Sequence, residues 1–283
     1  MSTHQQITDS IVAAIEAGAD GSGFKMPWHR SSGRPENVSS CRSYTGVNTL
    51  NLWCEEQFKG FSTSTWGTLK QWNQAGAKVK KGEKSAIVIF YKPLPEKEDD
   101  EPHDRRFVMR TSRVFNADQV DGFEPESVVL EDHTPHRPTD QFVAATGADV
   151  CFGGGRAFYN WAKDFIQLPP MDRFHDVQGF YSVLLHELSH WTGHDHRLAR
   201  EFGERFGTEA YAFEELIAEL SAAFLCADLG VSNEPRPDHA EYVAGWLRIL
   251  KSDQRAIFTA AAQAQKAVEF LHSLATNKEK SAA

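Results

Sequence analysis

The sequence predicts an α+β protein of two domains, a small mixed α/β domain followed by a mainly helical domain with a short sheet. Three observations predict it. The chain has 283 residues, more than one hydrophobic core usually serves, so two domains are the default expectation. Charge divides it: residues 21–93 carry eleven Lys and Arg against four acids, a balance of plus seven, whereas residues 94–283 carry nineteen against thirty-two, a balance of minus thirteen. The net charge of −9 therefore hides a basic module. Finally, β-rich runs lie in the first half, while the longest helix-period runs lie in the second.

Taken in order, residues 3–17 place Ile7, Ile11, Val12 and Ile15 on one side of a short amphipathic helix, ended by a glycine-rich break at 18–23. Helices are expected at 48–58 and 68–75. Residues 85–92, with Ile87, Val88, Ile89 and Phe90, read as a strand, and 107–115 as its return. Between them, 93–106 is acidic and contains prolines, so it cannot form a core and reads as a mobile hairpin tip. A first domain over 1–130, a linker at 131–138 marked by two prolines, and a second domain over 139–283 follow. In the second domain, 157–159 and 165–168 read as a short hairpin, Gly153-Gly154-Gly155 as a turn, and 240–274 as one helix with an apolar stripe of Tyr242, Trp246, Ile249 and Leu250. The glycine run lacks the Gly-Lys-Ser/Thr ending of a phosphate-binding loop.

The run His186-Glu187-Leu188-Ser189-His190 carries the most chemistry. On a helix of about 3.6 residues per turn, two histidines four apart share a face and can reach one cation. Glu187, beside His186, is the candidate general base that takes the proton of an attacking water. Chance pairs of this kind do occur on ordinary amphipathic helices, so the source of a third ligand matters, because a catalytic zinc needs three protein ligands and an open position. His196 fits the longer metzincin pattern, but that class needs a methionine turn downstream, and Met1, Met26, Met109 and Met171 all precede His186. The helical run 211–225 offers the alternative: Glu215 as ligand, with Glu219 one turn on as the acid backing it, among apolar Leu216, Ala218, Leu220, Ala223 and Phe224. Solvated surface glutamates are the plainer reading of such positions, and the apolar neighbours count against it. The HExxH-plus-Glu set is that of a gluzincin-like zinc metallopeptidase, with Zn2+ or another divalent metal as cofactor. Tyr211 and His194 are candidates to stabilise an oxyanion.

Ten aromatics between residues 24 and 91 interleave with the basic residues of the first domain. Cations that meet phosphates and rings that stack on unpaired bases suit single-stranded DNA. The residues 78–84 hold four lysines in seven positions, a local positive field. Candidate DNA contacts are Trp28, Arg30, Arg34, Asn37, Tyr44 and Asn48, together with Lys70, Trp72, Lys78, Lys80, Lys81 and Lys84. No run approaches the roughly 20 apolar residues of a membrane span, and no secretory leader is apparent, so a cytoplasmic location without membrane contact is expected. Cys41, Cys54, Cys151 and Cys226 show no paired C-x-x-C spacing and suggest neither a structural zinc site nor a disulfide framework.

In Pro27-Trp28, Arg34-Pro-Glu-Asn37, Tyr44-Thr-Gly-Val-Asn48, Trp66-Gly-Thr-Leu-Lys70, the Gly76 to Lys84 loop, Val114-Phe-Asn116, His186 to Arg197 and Tyr211 to Phe224, the chain resembles the ArdC antirestriction proteins of conjugative plasmids over nearly its full length. The resemblance implies a single-stranded-DNA-binding domain, shared with plasmid primases, joined to a zincin-like metallopeptidase domain, the whole protein acting to protect incoming plasmid DNA from host restriction. A host protein would be the substrate of the second domain. Two alternatives keep the same site: a DNA-binding protection module whose metal is structural or vestigial, and a DNA-dependent repair protease.

Overall fold

The computed structural model describes residues 2–19, 26, 28, 33–93, 107–124, 136–200, 209–232 and 239–282. In chain order these form α1 (Thr3–Ala19), β1 (Glu36–Asn37), α2 (Val47–Lys59), β2 (Thr65–Gly67), α3 (Leu69–Gln74), β3 (Lys78–Val79), β4 (Ala86–Pro93), β5 (Phe107–Asn116) and β6 (Val120–Asp121). They continue with α4 (Arg137–Thr146), β7 (Asp149–Phe152), β8 (Phe158–Asn160), β9 (Phe165–Leu168), α5 (Val177–Thr192), α6 (Glu209–Leu229), α7 (His239–Ser252) and α8 (Ala256–Ala282). The architecture is the expected two-domain α+β one.

In space the chain does not divide at residue 130. One compact unit gathers Met1–Arg34, Thr45–Leu50 and Val128–Ala283; the other holds Pro35–Tyr44 and Asn51–Ser127. The reason lies in α1. Its apolar face, with Ile7, Ile11 and Ile15 each at most 2% exposed, packs against α7, and each such burial contributes about 1.5–3 kcal/mol.

The smaller unit is built on a four-stranded sheet of order β1-β2-β5-β4 and a two-stranded ribbon of β3 and β6. Strands β4 and β5 pair antiparallel from Ala86↔Val114 to Pro93↔Phe107, as the sequence predicts; the expected acidic tip beyond Pro93 lies outside the described residues. One core joins Tyr44, Leu52, Trp66, Ala86, Val88 and Val114, and a second joins Trp72, Ala77, Ala117 and Val120. The indole N–H of Trp66 donates to the buried Glu56 carboxylate at 2.8 Å, so that the interior charge has a partner. Thr68 caps α3 reciprocally with Gln71 and so starts the expected helix 68–75 one residue later, and Ala75 is its C-cap.

In the larger unit α5 and α8 both pack on α6, with α4 on α8. Its sheet has order β7-β9-β8; the expected hairpin is β8 antiparallel to β9, and β7, too short to show an alternating pattern, adds parallel to β9. Two sequence expectations are corrected here. The single helix 240–274 is α7 and α8, broken where the Asp253 side chain accepts from the N–H of Arg255 at 2.8 Å, an Asx turn that competes with the helix. The linker 131–138 gives up its last two residues to α4, because Pro138 sits in the first turn, where its missing N–H costs nothing; residues 131–135 lie outside the described residues. Among the described residues, no helix is long and apolar enough to cross a membrane.

Candidate metal centre

Helix α5 begins at Asp176, whose side chain accepts from the N–H of Gly179 at 2.6 Å, and ends at Gly193. It puts His186 and His190 one turn apart on its buried face, with their Nε2 atoms 3.1 Å apart. Glu215 enters from α6, with Oε2 3.5 Å from His186 Nε2 and Oε1 3.5 Å from His190 Nε2. The donor atoms of these three buried residues lie within 4.8 Å of one another. For ligands about 2.1 Å from a tetrahedral cation, corner-to-corner separations are about 3.4 Å, close to those seen. The third ligand candidate, beside the two histidines, is thus Glu215; His196 is exposed and outside this group.

The far nitrogens of both rings are also occupied. His190 Nδ1 lies 3.2 Å from Glu214 Oε1, and His186 Nδ1 lies 3.4 Å from Glu219 Oε2. With each Nδ1–H turned to a carboxylate, the two Nε2 atoms would face each other as bare lone pairs, an arrangement that needs a cation or a proton between them. The residues therefore fit a divalent metal. The expectation that Glu219 backs Glu215 is corrected: it backs His186, since it reaches that ring's opposite side from the Glu215 carboxylate. Sequence reasoning misses Glu214. It lies about 100° round the helix from Glu215 and looks misdirected if α6 is read as amphipathic. Yet α6 is buried on nearly every side from Ala212 to Cys226, so both glutamates point inward.

Glu214 is held in turn by Arg200, whose Nε and Nη2 donate to its two oxygens at 3.0 and 2.8 Å. The same guanidinium donates to Thr192 Oγ1 at 2.7 Å and to the Ser189 carbonyl at 2.8 Å, which ties it to the C-terminal turn of α5. On the other side, the Trp28 indole N–H donates to Glu219 Oε1 at 3.2 Å.

Electrostatics follow from this packing. Burial works against ionisation of Glu215, but the charge of His190 and hydrogen bonds from both imidazoles outweigh it and hold its carboxyl far below the usual range. Burial likewise opposes a charged His190, yet Glu215 and Glu214 outweigh it and push the ring up to about 10. A proton and a metal ion therefore compete for the same nitrogen. Glu214 is lowered, with His190 and Arg200 overcoming its burial. Tyr211 is half-buried and bonded to Glu215 and Tyr242; burial first, then the Glu215 charge, keeps its hydroxyl protonated. Glu187 is buried on α5 next to His186. His194 joins a different group: its ring lies 4.8 Å from Trp161 and 5.0 Å from His196, and its Nδ1 accepts from the His196 N–H.

The expected DNA contacts separate into two sets. Lys70, Lys78, Lys80, Lys81 and Lys84 are exposed. Trp28, Arg34, Tyr44, Asn48 and Trp72 are buried, which corrects their expected role in touching bases or phosphates. Trp72 donates its indole N–H to the Phe115 carbonyl, and Arg34 pairs with Asp228 and Gln265 over the Phe224 ring. Asn37 organises a local turn, accepting from Ser39 and Ser40 and donating to Tyr44. Arg30 lies outside the described residues. Of the ten aromatics noted in this region, Phe58, Phe90 and Tyr91 are strongly exposed, and no feature of the sequence distinguishes them from the core rings.

The fold and the paired-histidine site together define the class: residues 137–263 match the family model of a zincin-like metallopeptidase. Residues 1–120 match the model of the N-terminal domain of anti-restriction factor ArdC. Over 98% of this chain and 99% of theirs, the crystal structures of antirestriction ArdC protein from plasmid R388 superpose at a TM-score of 0.81, with 38% identity for the metal-free form and 37% for the Mn(II)-bound form. The uncharacterized protein y4eC of Sinorhizobium fredii is 43% identical over 95% of this chain and 91% of its own length. The DNA primase TraC of Escherichia coli is 32% identical over 95% of this chain, which spans 27% of that protein. The chain belongs to the ArdC antirestriction family.

Proposed function

We propose that this chain is a cytoplasmic antirestriction protein that binds single-stranded DNA, protects incoming conjugative plasmid DNA from host restriction, and carries a metal-dependent peptidase centre acting on a host protein. The observation that carries the enzymatic part is the convergence of His186, His190 and Glu215, with a carboxylate behind each imidazole. The DNA part is supported by the exposed lysines of the smaller unit and by the likeness to the ArdC N-terminal domain and to TraC.

His186, His190 and Glu215 would hold Zn2+ or another divalent ion. When bound, such an ion supplies Lewis-acid chemistry, polarising a peptide carbonyl and acidifying water. Glu187 takes the proton of the attacking water and returns it to the departing amine. Tyr211, kept protonated, donates to the oxygen on which negative charge develops, a role that suits it better than His194 in its stack with Trp161. The existence of a metal-free as well as an Mn(II)-bound crystal structure of the R388 protein favours a metal that acts over one the fold requires.

The test is Glu187→Gln, with metal content, cleavage of a denatured protein and plasmid protection in a restricting host all measured. The expected result is retained metal with cleavage reduced about 100-fold or more. Unchanged cleavage with intact metal removes Glu187 from the mechanism. Lost cleavage with full protection favours the alternative of a DNA-binding module that protects without proteolysis.

A further inference from the structure

We infer that Trp28 is a positioning residue for the metal ligand His186, acting through Glu219, so that the metal centre is completed by a segment belonging to the N-terminal family region. The inference rests on the metal-site reading proposed above. Glu219 is 2% exposed and uses its two oxygens on opposite sides: Oε2 faces His186 Nδ1 at 3.4 Å, and Oε1 accepts from the Trp28 indole at 3.2 Å. Trp28 is itself 1% exposed, and its ring lies 6.1 Å from that of Trp246 on α7, whose own N–H donates to the Ala212 carbonyl of α6. The donor is thus fixed by packing between the two helices and cannot follow the carboxylate if it turns.

The same order recurs around the second imidazole, where Arg200 holds Glu214 and Glu214 faces His190 Nδ1. In both chains a buried donor fixes a carboxylate, which sets the tautomer and plane of a ring whose Nε2 faces the ion position. They differ in where they come from. Arg200 closes the loop after α5, whereas Trp28 lies within residues 1–120, the part matched by the ArdC N-terminal model, and outside residues 137–263, the part matched by the metallopeptidase model. The metallopeptidase region taken alone lacks Trp28, and the N-terminal region taken alone lacks both imidazoles and the carboxylates behind them.

The test uses the full chain and measures Mn2+ and Zn2+ affinity against a competing chelator, with thermal unfolding of the metal-free protein, for wild type, Trp28→Phe, Glu219→Gln and the double variant. Replacing groups that orient metal ligands weakens binding about 10–100-fold. Trp28→Phe, one bond further out, is expected near the lower end, with the metal-free unfolding temperature unchanged and no additional loss in the Glu219→Gln background. Where phenylalanine disturbs the packing, β-(3-benzothienyl)alanine at position 28 keeps the bicyclic ring and replaces N–H by sulfur, and the same loss is expected. Unchanged affinity in that variant, or an equal loss with and without Glu219, overturns the role of Trp28 while leaving the metal site intact. A wild-type protein that binds neither ion overturns the metal-site reading itself.

Discussion

The site residues of the larger unit and the lysines of the smaller one use their charge in opposite ways. In the larger, Glu214, Glu215, Glu219, His186, His190 and Arg200 are buried, and each is paired with another member of the group. In the smaller, the lysines stand in solvent over cores built on Trp66 and Trp72. A buried charge must have a designated partner, so geometry there identifies chemistry. An exposed cation needs none, and its position says little until a ligand arrives.

This contrast can be broken by experiment, starting with the largest effect. Arg200→Met removes two hydrogen bonds from the Glu214 carboxylate, leaving it only His190 in an interior where both side chains are about 4% exposed or less. Chemical denaturation should show a loss of about 3–5 kcal/mol. The contrasting change Lys59→Met removes a partly exposed pair with Glu55 and a bond to the Lys84 carbonyl, and should cost no more than about 1 kcal/mol. Equal costs would erase the distinction between the units.

Reversing charge at Lys80, Lys81 and Lys84 sharpens the other side. Single-strand affinity should fall about tenfold or more at low salt, and the salt dependence should flatten by about 0.7 for each phosphate no longer neutralised. Metal binding should be untouched. An unchanged DNA affinity would move the binding surface away from this loop.

The smallest effect concerns Asp164, half-exposed and held by Arg197 and the Tyr159 hydroxyl. The Arg197 hydrogen bond lowers its carboxyl below the usual range against a modest burial penalty. A depressed folded-state value means the contribution is present above the ordinary aspartate range and is lost as pH falls through the lowered one. Asp164→Asn should therefore remove a little stability at neutral pH, under about 1 kcal/mol, and flatten the acid limb of unfolding midpoint against pH. An unchanged acid limb would count against the pair.

How much of this is legible in the sequence depends on the range of the interaction. His186 and His190 announce themselves because four residues is one helical turn. Glu215 stands out as an acid within an apolar run. Glu214 with Arg200, and Glu219 with Trp28, are separated by 14 and 191 residues, and only packing brings them together. Trp28, Arg34 and Trp72 mislead because an aromatic or a basic residue in a basic module has the same composition whether it faces a nucleotide or a core. The strands β4 and β5 are readable from their β-branched runs, whereas the break at Asp253 is hidden inside an apolar stripe that continues across it.

The packing of α1 on α7 also sets a timetable for synthesis. Thr3–Ala19 leaves the ribosome well before His239–Ser252, which packs on its isoleucine face and follows more than two hundred residues later. At about 5–20 residues per second, that isoleucine face waits uncovered for roughly 10–50 s. The lysine-bearing unit, complete by Ser127, can close its tryptophan cores within that interval, so one half of the molecule is finished while the other still lacks the helix that seals it.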